Sequence, residues 1–125
     1  MDLMAELKIS GAELTVEFSR REQTWLHRSS LTVPLASVRQ VTRVDRPLSV
    51  AHGTRNGLVV SGFAKIGFWG VMVGPRQLVA AYRGRPGLHI LLDRTPDGEK
   101  VDELVLSLDD ADQLAEHLGQ RMGKS

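Results

Sequence analysis

Apolar and polar residues take turns over much of this chain, and where they do the pattern predicts strands. Leu7 and Ile9 alternate with Glu6, Lys8 and Ser10, and beyond Gly11 the residues Leu14, Val16 and Phe18 alternate with Glu13, Thr15 and Glu17. A period of two puts these apolar side chains on one face, so the segment reads as a hairpin turning at Ser10-Gly11-Ala12. Leu31, Val33 and Leu35 alternate again, and Pro34, lacking an amide donor, marks a strand end or an edge position. From Leu35 the spacing changes, with Val38, Val41 and Val44 three residues apart. Spacing alone fits a helix there, but valine and threonine favour a pleated surface, and the reading adopted is a short turn followed by a bulged strand. Leu78, Ala80 and Tyr82 predict a strand, Arg83-Gly84-Arg85-Pro86-Gly87 a turn, and Leu88, Ile90 and Leu92 the next strand. Thr95-Pro96-Asp97-Gly98 is a turn in which proline fixes φ and glycine accepts a positive value, and Leu104, Leu106 and Leu108 complete a second hairpin.

Two segments carry helix signals. Ser19-Arg20-Arg21-Glu22 matches the capping box, in which serine and glutamate each satisfy a backbone donor at a helix start, so a short helical turn should carry Trp25 and Leu26. Asp109-Asp110-Ala111-Asp112 opens a C-terminal helix with acids at its positive dipole end, and Arg121 and Lys124 sit near the negative end. Ala111, Leu114, Ala115, Leu118 and Met122 form one apolar stripe at helical spacing, which must lie against something. Between the strand groups, Gly57 to Gly74 (GLVVSGFAKIGFWGVMVG) holds five glycines, Phe63, Phe68 and Trp69, and a single charge at Lys65. Five glycines and a central lysine argue against a membrane span, and the segment reads as a glycine-loosened loop leading into a strand.

Strands in series closed by one amphipathic helix predict a mainly β chain of one domain, residues 1–125, with its antiparallel sheet folded into a sandwich or partial barrel and the helix over an open end or face. At 125 residues, 42% hydrophobic and 25% charged, the chain suits one hydrophobic core. It contains no cysteine, which removes disulfides, thiolate zinc sites and cysteine nucleophiles. Acids stand at Asp2 and Glu6, where a signal peptide needs a basic stretch followed by an apolar one, so a cytoplasmic protein without a transmembrane segment is expected.

The formal net charge of +1 conceals a segregation. From Arg20 to Arg94 there are 12 basic residues against 3 acids, while the two ends together hold 4 basic and 12 acidic residues. If the fold gathers the central arginines on one face, the result is a surface for nucleic acid, acidic lipid or an acidic protein; the plainer reading is that they decorate outward strand faces.

Chemistry-bearing patterns are otherwise lacking. Gly57 and Gly62 have the first spacing of a P-loop, but Phe63-Ala64 stands where Lys-Ser/Thr is needed, and Gly67-Phe68-Trp69-Gly70 is not a dinucleotide fingerprint. His27, His52, His89 and His117 form no close pair in sequence, and no nucleophile elbow surrounds Ser61. Asp109 and Asp110 read as helix caps. No catalytic residue, metal site or cofactor is predicted.

The strings quoted above resemble a known group. The opening hairpin Leu7–Phe18, the run Pro34-Leu35-Ala36-Ser37-Val38-Arg39-Gln40-Val41, the turn Tyr82-Arg83-Gly84-Arg85-Pro86 and the run Leu104-Val105-Leu106-Ser107-Leu108-Asp109-Asp110 occur in the order and spacing of small, uncharacterised PH-like domain proteins common in high-GC bacteria. The resemblance implies a seven-stranded, partly open barrel of two near-orthogonal antiparallel sheets capped by the C-terminal helix. That group places prolines around the glycine of its middle loop, whereas Arg55-Asn56-Gly57-Leu58 has none. PH folds are best known for gripping phosphoinositides with basic residues around the first hairpin loop. Here Lys8 is the one basic residue of that hairpin and Glu13 and Glu17 would repel a phosphate, which argues against that site.

Two non-enzymatic functions follow as expectations. One is contact with a protein partner or self-association through Phe63, Lys65, Phe68 and Trp69, since apolar side chains in a loop-like stretch mark contact sites when exposed. The other is an anion patch for nucleic acid or an anionic membrane surface, built from Arg39, Arg43, Arg46, Arg55, Arg76, Arg83 and Arg85.

Overall fold

The period-2 segments pair as their patterns require. In the computed structural model, which describes residues 4–51, 53–72, 75–93 and 101–123, Glu6–Ser10 (β1) and Glu13–Glu17 (β2) form the predicted hairpin with Leu7 opposite Val16 and Ile9 opposite Leu14. Helix α1 (Arg20–Leu26) follows, and Ser30–Pro34 (β3) returns along β2 to complete a three-stranded sheet ordered β1-β2-β3. Pro34 therefore ends an edge strand. A 3-10 turn at Leu35–Ser37 leads into β4 (Val38–Val44), whose pairing is bulged between Val38 and Gln40, as the valine spacing suggested.

The second sheet has six strands. After a 3-10 turn at Pro47–Ser49 come β5 (Arg55–Val60), β6 (Ala64–Trp69), β7 (Gln77–Tyr82), β8 (Gly87–Leu92) and β9 (Glu103–Ser107), arranged in space as β4-β8-β9-β7-β6-β5. The chain ends in α2 (Ala111–Gly123), which packs against β4 and β8 through Ala111 and Leu118, with Leu114 and Ala115 at the margin. The fold is thus mainly β with one C-terminal helix, and its two sheets are not closed into a barrel.

Two expectations need correction. The first is the strand count and pairing: the described residues form nine strands instead of seven, and the sheets are not wholly antiparallel, because β9 runs parallel to β7 while pairing antiparallel with β8. The second is the segment from Gly57, which is not a loop; its described part is the β5–β6 hairpin, turning at Ser61-Gly62-Phe63. Its alternation is broken in sequence by Gly57 and Gly67, which face each other across the pair; a Cβ on either would lie within 2.7 Å of the other's Cα. Glycine there is a condition of the close approach. Leu104 and Leu106 stand on a strand paired antiparallel with β8, as the second predicted hairpin requires. β9 is central and buried on both faces, with Val105 and Ser107 as inaccessible as Leu104 and Leu106. The predicted turn Thr95–Gly98 lies outside the described residues.

Burial on both sides of the large sheet produces two apolar clusters. The main one joins Leu78, Ala80, Leu88, Ile90, Leu104 and Leu106 to Leu7, Leu14, Val16, Leu31 and Val33 of the small sheet, to Leu26 of α1 and to Leu118 of α2. The smaller one, on the opposite face, gathers Trp69, Val79, Ala81, Val105 and Ala51 beneath Leu48 and Val50.

Close approach also governs Gly87, the first residue of β8. A Cβ there would come 1.7 Å from the carbonyl oxygen of Leu106, on backbone that cannot swing aside. Gly87→Ala should lower unfolding free energy by about 1–3 kcal/mol through forced displacement of β9. Gly119→Ala, on the exposed side of α2 with open space around it, should raise it by about 0.5–1 kcal/mol. Urea unfolding of the two variants checks both signs.

Candidate functional site

The strand register sorts the predicted arginines between opposite ends of the large sheet. At one end lie the last residue of β4, the first of β8, the last of β7 and the first of β6, since Val44 pairs with Gly87 and Tyr82 with Ala64. At the other end Val38 pairs with Leu92, Trp69 with Gln77 and Arg55 with Trp69. Arg43, Arg46, Arg83 and Arg85 therefore belong to the first end, and Arg39, Arg55 and Arg76 to the second. The seven do not make one patch. Arg39 is occupied by Asp93 at 3.1 Å. Arg43 donates to both Asp45 and Asp112, and these bonds, Asp45 first, raise its pKa above the ordinary guanidinium value.

The apolar candidates separate as well. Trp69 is 4% exposed, sealed in the smaller cluster, and Phe68 packs against the main one. Lys65 donates its ammonium to the Leu48 carbonyl at 2.9 Å. Phe63, at the β5–β6 turn, is 59% exposed and is the member of the set presented to solvent. Strand alternation explains the split, since Phe68 and Trp69 are neighbours in sequence and so face opposite sides of the sheet.

Beside the first arginine group runs a groove of about 800 Å³. Glu6, Leu7 and Lys8 of β1, with Met4 and Ala5 just before it, form one wall; Val60, Phe63, Ala64, Tyr82, Arg83 and Arg85 form the other, and Arg21, Asp109 and Asp110 complete the lining. A second hollow of about 590 Å³ on the far side of the β7–β8 turn shares Tyr82 and Arg83 and adds Arg43 and Arg46. The turn is held from below. Ser107 Oγ accepts from the Tyr82 amide at 2.9 Å and donates to the Arg85 carbonyl at 3.0 Å, and the Arg83 amide donates to the Phe63 carbonyl at 2.7 Å. With both amide and carbonyl anchored, the side chains of Arg83 and Arg85 project outward. The Arg83 guanidinium lies 5.6 Å from the Phe63 ring centroid and, among the described residues, has no carboxylate partner. Arg85 reaches Asp109 only at 3.9 Å, an exposed contact worth at most about 1 kcal/mol.

Beneath the groove a buried carboxylate joins α1 to the large sheet. The capping box at Ser19 is formed as predicted, with the Ser19 amide donating to Glu22 Oε1 at 2.8 Å. The other oxygen, Oε2, accepts from the Tyr82 hydroxyl at 2.5 Å, and Glu22 is fully buried. Turning Glu22 inward leaves Arg21 outward, where its guanidinium lies 5.1 Å from the centroid of the Tyr82 ring. Burial, then the bond to Glu22, pushes the Tyr82 phenol well above its ordinary value of 10.0. Arg21 and Tyr82 were not among the candidate site residues read from the sequence, and Lys8 was weighed there as a phosphate contact and set aside. The available signal was the capping box itself, whose glutamate points in and whose preceding arginine points out.

Among the described residues no group of three or more histidines and carboxylates stands where it would hold a metal ion, and no helix is long and apolar enough to cross a membrane. His27 ends α1, His89 bonds Glu103 at 2.7 Å, and His52 lies outside the described residues. Comparison with known proteins finds no matching family model, no matching curated protein and no matching solved structure.

The Glu22–Tyr82 tie carries its own prediction. Tyr82→Phe leaves a buried carboxylate oxygen without its donor and should lower stability by about 1.5–3 kcal/mol. Tyr82 is the chain's single tyrosine, so the tyrosinate absorbance reports it alone. In the unfolded chain the phenol ionises near pH 10; in the folded chain it holds its proton beyond that. The tie's contribution is therefore complete below pH 10 and declines as the pH rises past it. Alkaline titration of the native protein should show no tyrosinate signal until unfolding begins.

Proposed function

We propose that this chain is a non-enzymatic cytoplasmic binding module that takes carboxylate or phosphate groups of a partner in the groove between β1 and the β7–β8 turn. The observation that carries this is convergence: Lys8, Arg21, Arg83 and Arg85 come from three separate parts of the chain to line one concavity with Tyr82 and Phe63. Guanidinium groups bind carboxylate and phosphate through paired, charge-assisted bonds, and aromatic faces beside them add planar surface. The groove is walled by side chains whose backbone is anchored, so little ordering is left to binding. Contact with a protein partner or self-association through the apolar segment loses surface where Trp69 is buried and Phe68 is partly buried against the main cluster. The PH-like reading is supported by a β-rich body ending in one helix, and it has against it the nine strands among the described residues and the parallel β7–β9 pair.

Affinity for an anionic probe should fall steeply with added salt. Arg83→Glu with Arg85→Glu should weaken it at least tenfold, while Arg39→Glu with Arg55→Glu, at the opposite end of the sheet, should leave it within twofold. Fluorescence anisotropy with acidic peptides, single-stranded DNA and anionic vesicles measures this. Equal losses from the two double variants would show that net charge, and not the groove, does the binding.

A further inference from the structure

The groove has a property that its charge does not explain, for one of its walls is the open edge of a sheet. Among the described residues β1 has β2 as its only neighbour in the sheet order, and Glu6, Leu7 and Lys8 of this strand, with Met4 and Ala5 just before it, line the cavity. An edge strand turns the N–H and C=O of every second residue outward, a template that another extended chain can complete. We infer that the groove takes an extended acidic segment of a partner protein, which adds to β1 as a further strand and sets its carboxylates against Arg21, Arg83 and Arg85. This rests on the anion-binding reading above and narrows it to one class of partner.

Dimensions and charge both favour a polypeptide. β1, from Glu6 to Ser10, spans about 17 Å of extended chain, the reach of a five-residue strand, and an added strand would lie about 4.8 Å away. Val60 and Phe63 offer apolar surface to the side chains between the acids; both are more than two-fifths exposed, Val60 at 44% and Phe63 at 59%. Glu6, Asp109 and Asp110 share the lining with the basic groups. A nucleic-acid backbone or an anionic membrane brings uniform negative charge against those carboxylates, whereas a peptide places its charges residue by residue. Neither lipid nor nucleic acid supplies donors and acceptors alternating at strand spacing. Main-chain pairing gives affinity in such additions, and flanking side chains give selectivity.

The test uses the full chain and a short, blocked, fluorescent peptide of alternating glutamate and valine at physiological salt. Companions are a lysine–valine peptide and two versions methylated at alternate backbone nitrogens, one for each register, which keep the charge but remove main-chain donors on one edge. The acidic peptide should bind, the basic one should not, one methylated register should bind at least tenfold more weakly, and Arg83→Glu with Arg85→Glu should cost at least tenfold. If the double charge reversal perturbs folding by circular dichroism, Arg83→Gln with Arg85→Gln should show the same direction. Equal binding of both methylated registers overturns strand addition while leaving the anion groove standing, provided the arginine variants still weaken them. The same holds if vesicles or single-stranded DNA bind through these arginines and the peptide does not. A dimer by light scattering that persists in excess peptide overturns it too, since a second copy then occupies the edge. If no anionic probe binds, both readings fall together.

Discussion

β9 enters the large sheet between β7 and β8, two strands that are consecutive in the chain, so the turn joining them must span two inter-strand spacings, about 9–10 Å. That constraint shapes the neighbourhood. The end of β9 fills the space under the turn: Ser107 bonds to the backbone of Tyr82 and Arg85, and the Leu108 amide donates to the Pro86 carbonyl at 3.1 Å. Gly87 lets the Leu106 carbonyl pass at a distance no side chain would permit. The arginines at 83 and 85 are thereby carried on an anchored bridge beyond the sheet's end, above the edge of the small sheet.

The small sheet is brought to that bridge by the Glu22–Tyr82 bond. Burying a carboxylate costs free energy unless its oxygens are matched, and here one is matched by the backbone of its own helix and the other by the last residue of β7. The bond therefore works at two levels. It completes a local cap, and it fixes the distance between α1 and the large sheet, which sets the position of Arg21 in the groove.

Local patterns were legible in the sequence and non-local ones were not. The β1–β2 hairpin, the capping box, the bulged β4 and the C-terminal helix each depend on residues within a few positions of one another, and each formed as read. The β5–β6 hairpin was hidden because Gly57 and Gly67 remove a side chain from each strand at the same register position. The parallel β7–β9 pair joins segments separated by a long stretch of chain and leaves no mark on alternation. The arginines were visible as a group, but which end of a strand each occupies follows from sheet order, so the division into Arg43, Arg46, Arg83 and Arg85 on one side and Arg39, Arg55 and Arg76 on the other needed the fold.

Burial of β7 on both faces limits how a groove of this kind can diversify. From Gln77 to Tyr82 no position is accessible enough to accept a new charge, because one set of side chains enters the main cluster and the other the smaller one. On the proposed binding reading, a change in selectivity falls to the bridge after Tyr82, the outward side of α1 or the margin of β1. The rigid interior and the adaptable rim are thus carried largely by different residues, with Tyr82 belonging to both.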